Sequence, residues 1–494
     1  MATAPVLMPM KCRLVGAAGL VAGLITVSAA QASAAQARQA SDAVALPSDI
    51  DIRKVLVDRV DVLAGKEDGI GIVVGIIGPQ GRRIISYGHL NQGDPRPLDG
   101  NTGFEIASVT KVFTALLLAE MVQTREVALA DPVAKYLPAG VKIPERNGHA
   151  ITLLDLATHT SALPFMPDEM PAFGDSTAAK PSSADIYRFL AGYHLPRDPG
   201  VDWDYSNIGY WLLGEALASR AGMDFESLLR ARVLAPLNLN DTAITPSARL
   251  RANLALGHDV SLQPAPYFSA GSTYALMPAA GGLVSTPNDL LGFLSAVMGY
   301  ERSPLASAMA AMLSTQRPKS SGQRQALGWI VRGDGNDQLI FHDGGSFGFA
   351  SSLAWDAKAR IGVVVLSNQL SDVSDIARHL LRPNIPLAKP TATKHTEIAL
   401  DADVLKTYEG RYEASSEGIF QVTLEATFLT IQAPPDWGLP KMRLRPENPR
   451  DFFATELPLR VTFQTDSGGH VTGMLVYPPR GQPALPAKRM ISDK

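Results

Sequence analysis

Apolar positions along the chain fall into several distinct patterns, and each predicts a different element. Ile50 to Leu63 spaces Ile, Val and Leu at helical intervals and predicts an amphipathic helix. Gly71-Ile72-Val73-Val74-Gly75-Ile76-Ile77-Gly78 and Arg83-Ile84-Ile85-Ser86-Tyr87-Gly88 flank a Pro79-Gln80-Gly81 turn and predict a hairpin. Gly69, Gly71 and Gly75 precede a strand and no helix follows, so they do not form a dinucleotide loop. Val112 to Ala119 is apolar on nearly every face, which predicts a helix buried through the middle of a domain. A short helix at Ile151–Ala157 runs into the polar Thr158–Ser161 loop, and Ile208–Ala221 is again helical. Gly281 to Ser285 reads as a strand meeting a helix capped by Ser285 or Thr286, with Pro287 in its first turn, an architectural segment. Gln338–His342, Ser352–Trp355 and Ile361–Asn368 read as successive antiparallel strands, the last fully buried.

Polar, Pro- and Ala-rich stretches divide these elements. Met166 to Ser183 reads as a loop over a cleft. Residues 383–400 read as a linker between a domain at 50–382 and a smaller one at 401–494. In the smaller one the pattern changes to alternation and hairpins, at Phe420–Leu424, Leu429–Ile431, Val461–Phe463 and Val471–Tyr477, which predicts an all-β domain.

Composition narrows the function. The 494 residues are 46% hydrophobic and 19% charged, and Lys+Arg of 45 against Asp+Glu of 48 gives a net charge of -3. That balance has no basic footprint and excludes nucleic acid as a partner. Lys11 and Arg13 precede an uncharged run from Leu14 to Val27, then small residues including Ala30-Gln31-Ala32, so residues 1–32 read as a cleaved signal peptide. The run is shorter than the roughly 20 residues a span needs, so no stable membrane span is expected after cleavage and the protein is expected to be periplasmic or secreted. The only cysteine, Cys12, lies before that run, which leaves the expected mature chain without a disulfide or a Cys-based metal site.

Candidate chemistry begins at Ser108-x-x-Lys111, at the head of the buried helical run. As a helix the two residues share one side, a nucleophile beside a possible base, and the helix N-terminus offers backbone N–H groups to a developing oxyanion. The same spacing also fits a helix cap with a solvated lysine. Tyr205-x-Asn207, on a loop ahead of a helix, presents a phenol able to relay protons and an amide able to hold a lysine or a substrate carbonyl, or it is a turn with an aromatic anchor. His159 reads as a loop brace. Gly344-Gly345-Ser346-Phe347-Gly348 formally matches Gly-x-Ser-x-Gly, but that elbow needs a helix after the serine and the residues here alternate like a strand.

Ser108-x-x-Lys111, Tyr205-x-Asn207 and the His342-x-Gly344 strand stand in the order that resembles serine hydrolases of the class C β-lactamase, D-alanyl-D-alanine carboxypeptidase and family VIII esterase group. The resemblance extends to Leu-Ala-Thr-His-Thr-Ser at 156–161, Gly-Gly-Leu-Val-Ser-Thr at 281–286 and Val-Val-Leu-Ser-Asn at 364–368. It implies an α/β (α+β) fold, with an antiparallel sheet flanked by helices, an all-helical subdomain and a small appended β domain. It implies acyl transfer through Ser108, with Lys111 accepting or relaying the proton and Tyr205 passing it to the leaving group. Asn207, His342, Gly344 and Gly345 would line the substrate, and the N–H groups of Ser108 and Gly345 would form the oxyanion hole, where glycine permits close approach. No metal or cofactor is implied. The implied substrate is a small molecule or a peptidoglycan peptide, with β-lactams possible. A carboxylesterase and a non-catalytic wall-peptide or β-lactam sensor are the alternatives.

Two positions depart from that pattern. His342 and Asp343 stand where lysine and a hydroxyl residue are usual, so the wall carries a lasting cation only if Asp343 holds a proton on His342. Ala162 replaces the glycine usual after Thr-His-Thr-Ser.

Overall fold

A computed structural model describes residues 46–64, 69–167, 182–259, 262–265, 277–319, 322–346, 348–388, 395–414, 418–434, 441–454, 459–477 and 484–490. The expected signal peptide lies outside them, as do most of the predicted loop at Met166–Ser183 and the middle of the predicted linker. Among the described residues no helix is long and apolar enough to cross a membrane.

The first hairpin forms as the alternation predicts, from β1 (Gly71–Gly78) and β2 (Gly81–Gly88), with Gly81 at φ 101° closing the turn. Six later strands complete one antiparallel sheet: β3 (Gln316–Lys319), β4 (Gln323–Ala326), β5 (Ile330–Arg332), β6 (Leu339–Gly345), β7 (Ala350–Asp356) and β8 (Ile361–Ser367). Their order is β2-β1-β8-β7-β6-β5-β4-β3, so the hairpin joins the remainder only through β8. In that pairing Val74 lies opposite Val365 and Ile76 opposite Val363. Every residue of β1 and β8 is buried, which is why both read as near-continuous apolar runs.

Asn368, directly after β8, fastens this join. It is fully buried; its Oδ1 accepts the Gly71 N–H at 2.6 Å, and its amide nitrogen lies 2.9 to 3.3 Å from the carbonyls of Gly69, His89, Leu90 and Leu256. One side chain thereby satisfies backbone groups from three remote segments.

Helices cover the sheet. On one side α1 (Asp49–Ala64) and α6 (Ser374–Leu381) are joined by Arg59, whose guanidinium meets Asp375 at 2.6 Å. On the other lie α2 (Thr110–Gln123) and α5 (Pro287–Val297), the latter against β1, where Leu291 reaches within 3.0 Å of the space a Cβ on Gly75 would fill. Eleven of the 14 residues of α2 are buried, because the helix Ala306–Ser314, the short helix Pro278–Gly281 and α4 (Asn207–Ala221) pack against it, with α3 (Leu153–Ala157) behind α4. The helix is therefore apolar all round instead of amphipathic.

The expected all-β domain is a closed eight-stranded barrel: β9 (Gly410–Ala414), β10 (Gly418–Glu425), β11 (Phe428–Gln432), β12 (Met442–Pro446), β13 (Asp451–Phe453), β14 (Arg460–Thr465), β15 (Val471–Tyr477) and β16 (Leu485–Arg489). Closure comes from β9 pairing with β16, which leaves no free edge. Tyr412, Phe420, Ile431, Leu444, Phe463 and Met474 fill its interior at 0–1% exposure, so the barrel is a packed core.

Candidate active site

Ser108 sits on a 3-10 turn, Ala107–Val109, that feeds directly into α2, and Lys111 occupies the second position of that helix. Ala107 enters the turn at φ 43°, a left-handed conformation that L-residues adopt at a cost. The strain is held in place by β6. A Cβ on Gly344 would fall 2.5 Å from the Ile106 carbonyl and 3.0 Å from the Ser108 nitrogen, so only glycine lets the strand lie against the serine's backbone N–H. Close approach was expected at Gly345; there a Cβ would meet nothing nearer than Leu370 at 3.5 Å, and Gly344 makes the approach instead. The reason is the pleat: Gly344 faces α2, and Gly345 lies at the exposed end of β6.

Lys111 is fully buried and three atoms surround its Nζ: Ser108 Oγ at 3.1 Å, Asn207 Oδ1 at 2.8 Å and the Ala280 carbonyl at 2.7 Å. Burial drives its pKa well below the ordinary lysine value. A neutral amine has two N–H donors and one lone pair. Asn207 and Ala280 accept both donors, so the lone pair is left for the Ser108 hydroxyl. The rings of Tyr205 and Tyr210, with centroids 4.9 and 5.6 Å from Nζ, screen the amine from water. Tyr205 donates its O–H to Ser108 Oγ at 2.8 Å. The serine oxygen thus stands between an amine that can take its proton and a phenol that can supply one.

Asn207 is the first residue of α4 and not part of the loop before it; Ser206 is the cap, accepting the Gly209 N–H at 2.9 Å. Its Oδ1 holds the lysine, and its Nδ2 is buried with no partner among the described residues. Ala280 was missed by sequence reasoning. It lies one residue before the segment from Gly281 that was read as architectural, within a short helix, Pro278–Gly281, that takes the place of the expected strand start. Its contribution is a main-chain carbonyl, which no residue type announces. Thr286 caps α5 as expected, accepting the Asp289 N–H at 3.2 Å.

His342 and Asp343 do not form the pair that would have charged the histidine. Adjacent strand residues point to opposite faces. His342 faces inward, 2% exposed, and its Nδ1–H donates to the Gly328 carbonyl at 2.6 Å. Burial, and secondarily Lys111, push its pKa down to about 3, so the ring is neutral. Asp343 points to the other face, where it accepts from Ser352 Oγ at 2.7 Å and pairs with Arg378 of α6. Gly328, at φ 72°, packs its Cα against Lys111 and Val112 of α2 while its carbonyl holds His342. Ser346, the serine of the formal elbow motif, is 3% exposed, donates to Glu105 at 2.8 Å, and is followed by strand β7 and no helix.

A family model described as Beta-lactamase matches residues 56–383. The chain belongs to the beta-lactamase family. The D-alanyl-D-alanine-carboxypeptidase/endopeptidase AmpH of Escherichia coli K12 is 28% identical over 347 residues, covering 65% of this chain and 87% of that protein. Penicillin-binding protein 4* of Bacillus subtilis is 24% identical over 436 residues, covering 83% of this chain and 93% of its own. Among solved structures, a beta-lactamase/D-alanine carboxypeptidase from Yersinia pestis, complexed with citrate, superposes with a TM-score of 0.53 at 25% identity, over 68% of this chain and 97% of that one. Membership of this family makes the chain a hydrolase of the β-lactamase and DD-peptidase type.

Proposed function

We propose that the protein is a secreted or periplasmic D-alanyl-D-alanine carboxypeptidase or endopeptidase that works through an acyl-serine intermediate. The observation that carries this reading is the buried Lys111 amine, whose Nζ lies 3.1 Å from Ser108 Oγ and is held by Asn207 Oδ1 and the Ala280 carbonyl. In the first step Lys111 takes the Ser108 proton as Oγ attacks the substrate carbonyl. The N–H groups of Ser108 and Gly345 receive the oxyanion, Tyr205, 2.8 Å from Oγ, delivers a proton to the departing amine, and the Lys111 ammonium passes its proton on to Tyr205, which returns both groups to their starting states. Water then repeats the sequence on the acyl-serine and frees the enzyme. Burial keeps the lysine neutral, Asn207 and Ala280 keep it aimed, and no step of this route calls for a metal or cofactor. The D-alanyl substrate is supported by the related carboxypeptidase/endopeptidase and by the signal-like N-terminus, which would deliver the protein to the cell wall.

A second reading, a carboxylesterase, is favoured by the substrate wall: His342 stands where a lasting cation would attract a substrate carboxylate, and its ring is neutral. One experiment separates these readings. Purified wild type and Ser108→Ala are compared on a D-Ala-D-Ala peptide, a chromogenic cephalosporin and a nitrophenyl ester, with intact mass recorded after penicillin. Release of D-alanine by wild type alone supports the peptidase, and ester turnover without it supports the esterase. A long-lived acyl-enzyme with no turnover identifies a sensor. Full activity of Ser108→Ala on all three substrates would overturn the acyl-serine mechanism.

A further inference from the structure

The Thr158–Phe165 loop lies under the Tyr205 loop, and one residue of it does more than brace. His159 is fully buried and takes a left-handed backbone, φ 58°. Its carbonyl accepts the Asp204 N–H at 2.7 Å, and its ring Nδ1 accepts the Ser206 N–H at 3.1 Å. The two donors are the residues on either side of Tyr205, so a single histidine grips the tyrosine's backbone before and after it. The same ring stacks on the Tyr205 phenol, with centroids 4.3 Å apart and an interplanar angle of 28°. Backbone and side chain of Tyr205 are therefore registered against one rigid imidazole. Aromatic stacking fixes the plane in which the phenol lies, and hence where its O–H sits relative to Ser108 Oγ.

The tautomer is set by this arrangement. Because Nδ1 accepts a hydrogen bond, the ring proton is on Nε2, and Nε2 is buried with no hydrogen-bond partner among the described residues. Burial and the proximity of Lys111 keep the ring neutral, so it retains the lone pair that the Ser206 N–H requires. Neighbouring bonds follow the same template: Ser206 Oγ donates to the Pro164 carbonyl at 2.7 Å and Asn207 N–H to the Phe165 carbonyl at 3.1 Å.

We propose that His159 is a positioning residue for proton delivery, holding the Tyr205 hydroxyl at Ser108 Oγ through its Nδ1 acceptor and its stacked ring. This rests on the acyl-serine reading above, in which Tyr205 protonates the leaving group. Misplacing the phenol then harms substrates whose leaving group must be protonated as it departs, and spares those whose leaving group departs as a stable anion. The two classes are represented by ethyl butyrate and p-nitrophenyl butyrate, which share one acyl-enzyme and differ only in the acylation step that kcat/KM reports.

The test measures the ratio of kcat/KM for the two esters in full-length wild type, Tyr205→Phe, His159→Phe and His159→Asn. A ratio taken within one preparation is independent of the fraction that folds. Phenylalanine keeps a flat ring and removes the acceptor; asparagine returns an acceptor near the place of Nδ1 and removes the ring. In His159→Phe the ethyl ester should lose about tenfold more than the p-nitrophenyl ester, in the direction of the larger shift in Tyr205→Phe, and His159→Asn should recover part of that loss. If Tyr205→Phe moves the ratio and His159→Phe does not, the positioning role is wrong and the mechanism stands. If Tyr205→Phe itself leaves the ratio unchanged, the proton-delivery reading fails and the proposal fails with it.

Discussion

Replacing His342 with glutamine should make the hydrolase domain less stable near neutrality and more stable in mild acid. The imidazole is buried and its folded pKa lies near 3, against 6.5 for the free group. A folded pKa below the unfolded one means that the unfolded chain takes up a proton that the folded chain refuses. Stability is then fully present above about pH 6.5 and is lost as pH falls toward about 3. Each unit in that window costs about 1.4 kcal/mol, so by about pH 4.5 the ring has withdrawn on the order of 3 kcal/mol. Glutamine does not titrate, and its amide can donate to the Gly328 carbonyl with a poorer fit, at a cost of about 1 kcal/mol near pH 7.5. His159, the other buried imidazole of the site, is present in both proteins and cancels in the difference. The assay is urea unfolding followed by tryptophan fluorescence, since Trp203, Trp211, Trp329 and Trp355 belong to the hydrolase domain and only Trp437 lies beyond it. The two stability curves should cross between about pH 7.5 and pH 4.5. Parallel curves across that interval would refute the reasoning, because the ring would then titrate in the fold as it does in water.

Four further outcomes test the site. Gly344→Ala must push β6 away from the Ile106 carbonyl and the Ser108 nitrogen, so it should cut kcat/KM on any turned-over substrate by about a hundredfold or more with a near-native circular dichroism spectrum. Ser346→Ala should leave acylation by a fluorophosphonate probe intact while lowering the unfolding free energy by about 1–3 kcal/mol, since Glu105 loses a buried donor; loss of labelling here with retention in Ser108→Ala would reinstate the elbow motif. Activity should fall on acidification, because Lys111 is depressed from the lysine value and accepts the serine proton only while neutral. A pH profile of kcat/KM that is flat on its acid side would contradict that role. Asp343→Thr leaves Arg378 without its carboxylate on the face of the sheet away from Ser108, so it should lower the urea unfolding free energy by about 1–3 kcal/mol while KM for a D-Ala-D-Ala peptide stays unchanged; a shift in KM with stability retained would contradict that placement.

What could be read in advance was what lies in side-chain type and spacing. Ser108, Lys111, Tyr205 and Asn207 converge as their motifs implied, since a three-residue step on a helix and a two-residue step at a helix cap each fix direction. The Ala280 carbonyl, the Gly328 carbonyl under His342 and the Arg378 partner of Asp343 were not legible. Two are main-chain atoms, and the third arrives from a helix 35 positions further along. Strand β3, Gln-Arg-Pro-Lys, escaped because it lies at the sheet's edge and is polar, and β4, Gln-Arg-Gln-Ala, next to it, because four largely polar residues carry no apolar alternation. In the barrel, β12 and β13 were passed over because the first ends in proline and the second has three residues, while the longer alternating strands β10 and β15 were plain. Ala162 is a residue where sequence and structure speak together: it occupies φ 61°, the conformation for which the expected glycine is suited.

The bonds made by Asn368 also have a temporal meaning. A chain made from its N-terminus presents Ser108 long before it presents Asn368, and β1 cannot gain its second neighbour until β8 has emerged. At ordinary synthesis rates the interval is roughly tens of seconds, during which the apolar β1 hairpin has no partner to cover it. A chain cut short before residue 368 would carry Ser108 beside a first hairpin whose Gly71 lacks the Asn368 amide that holds it.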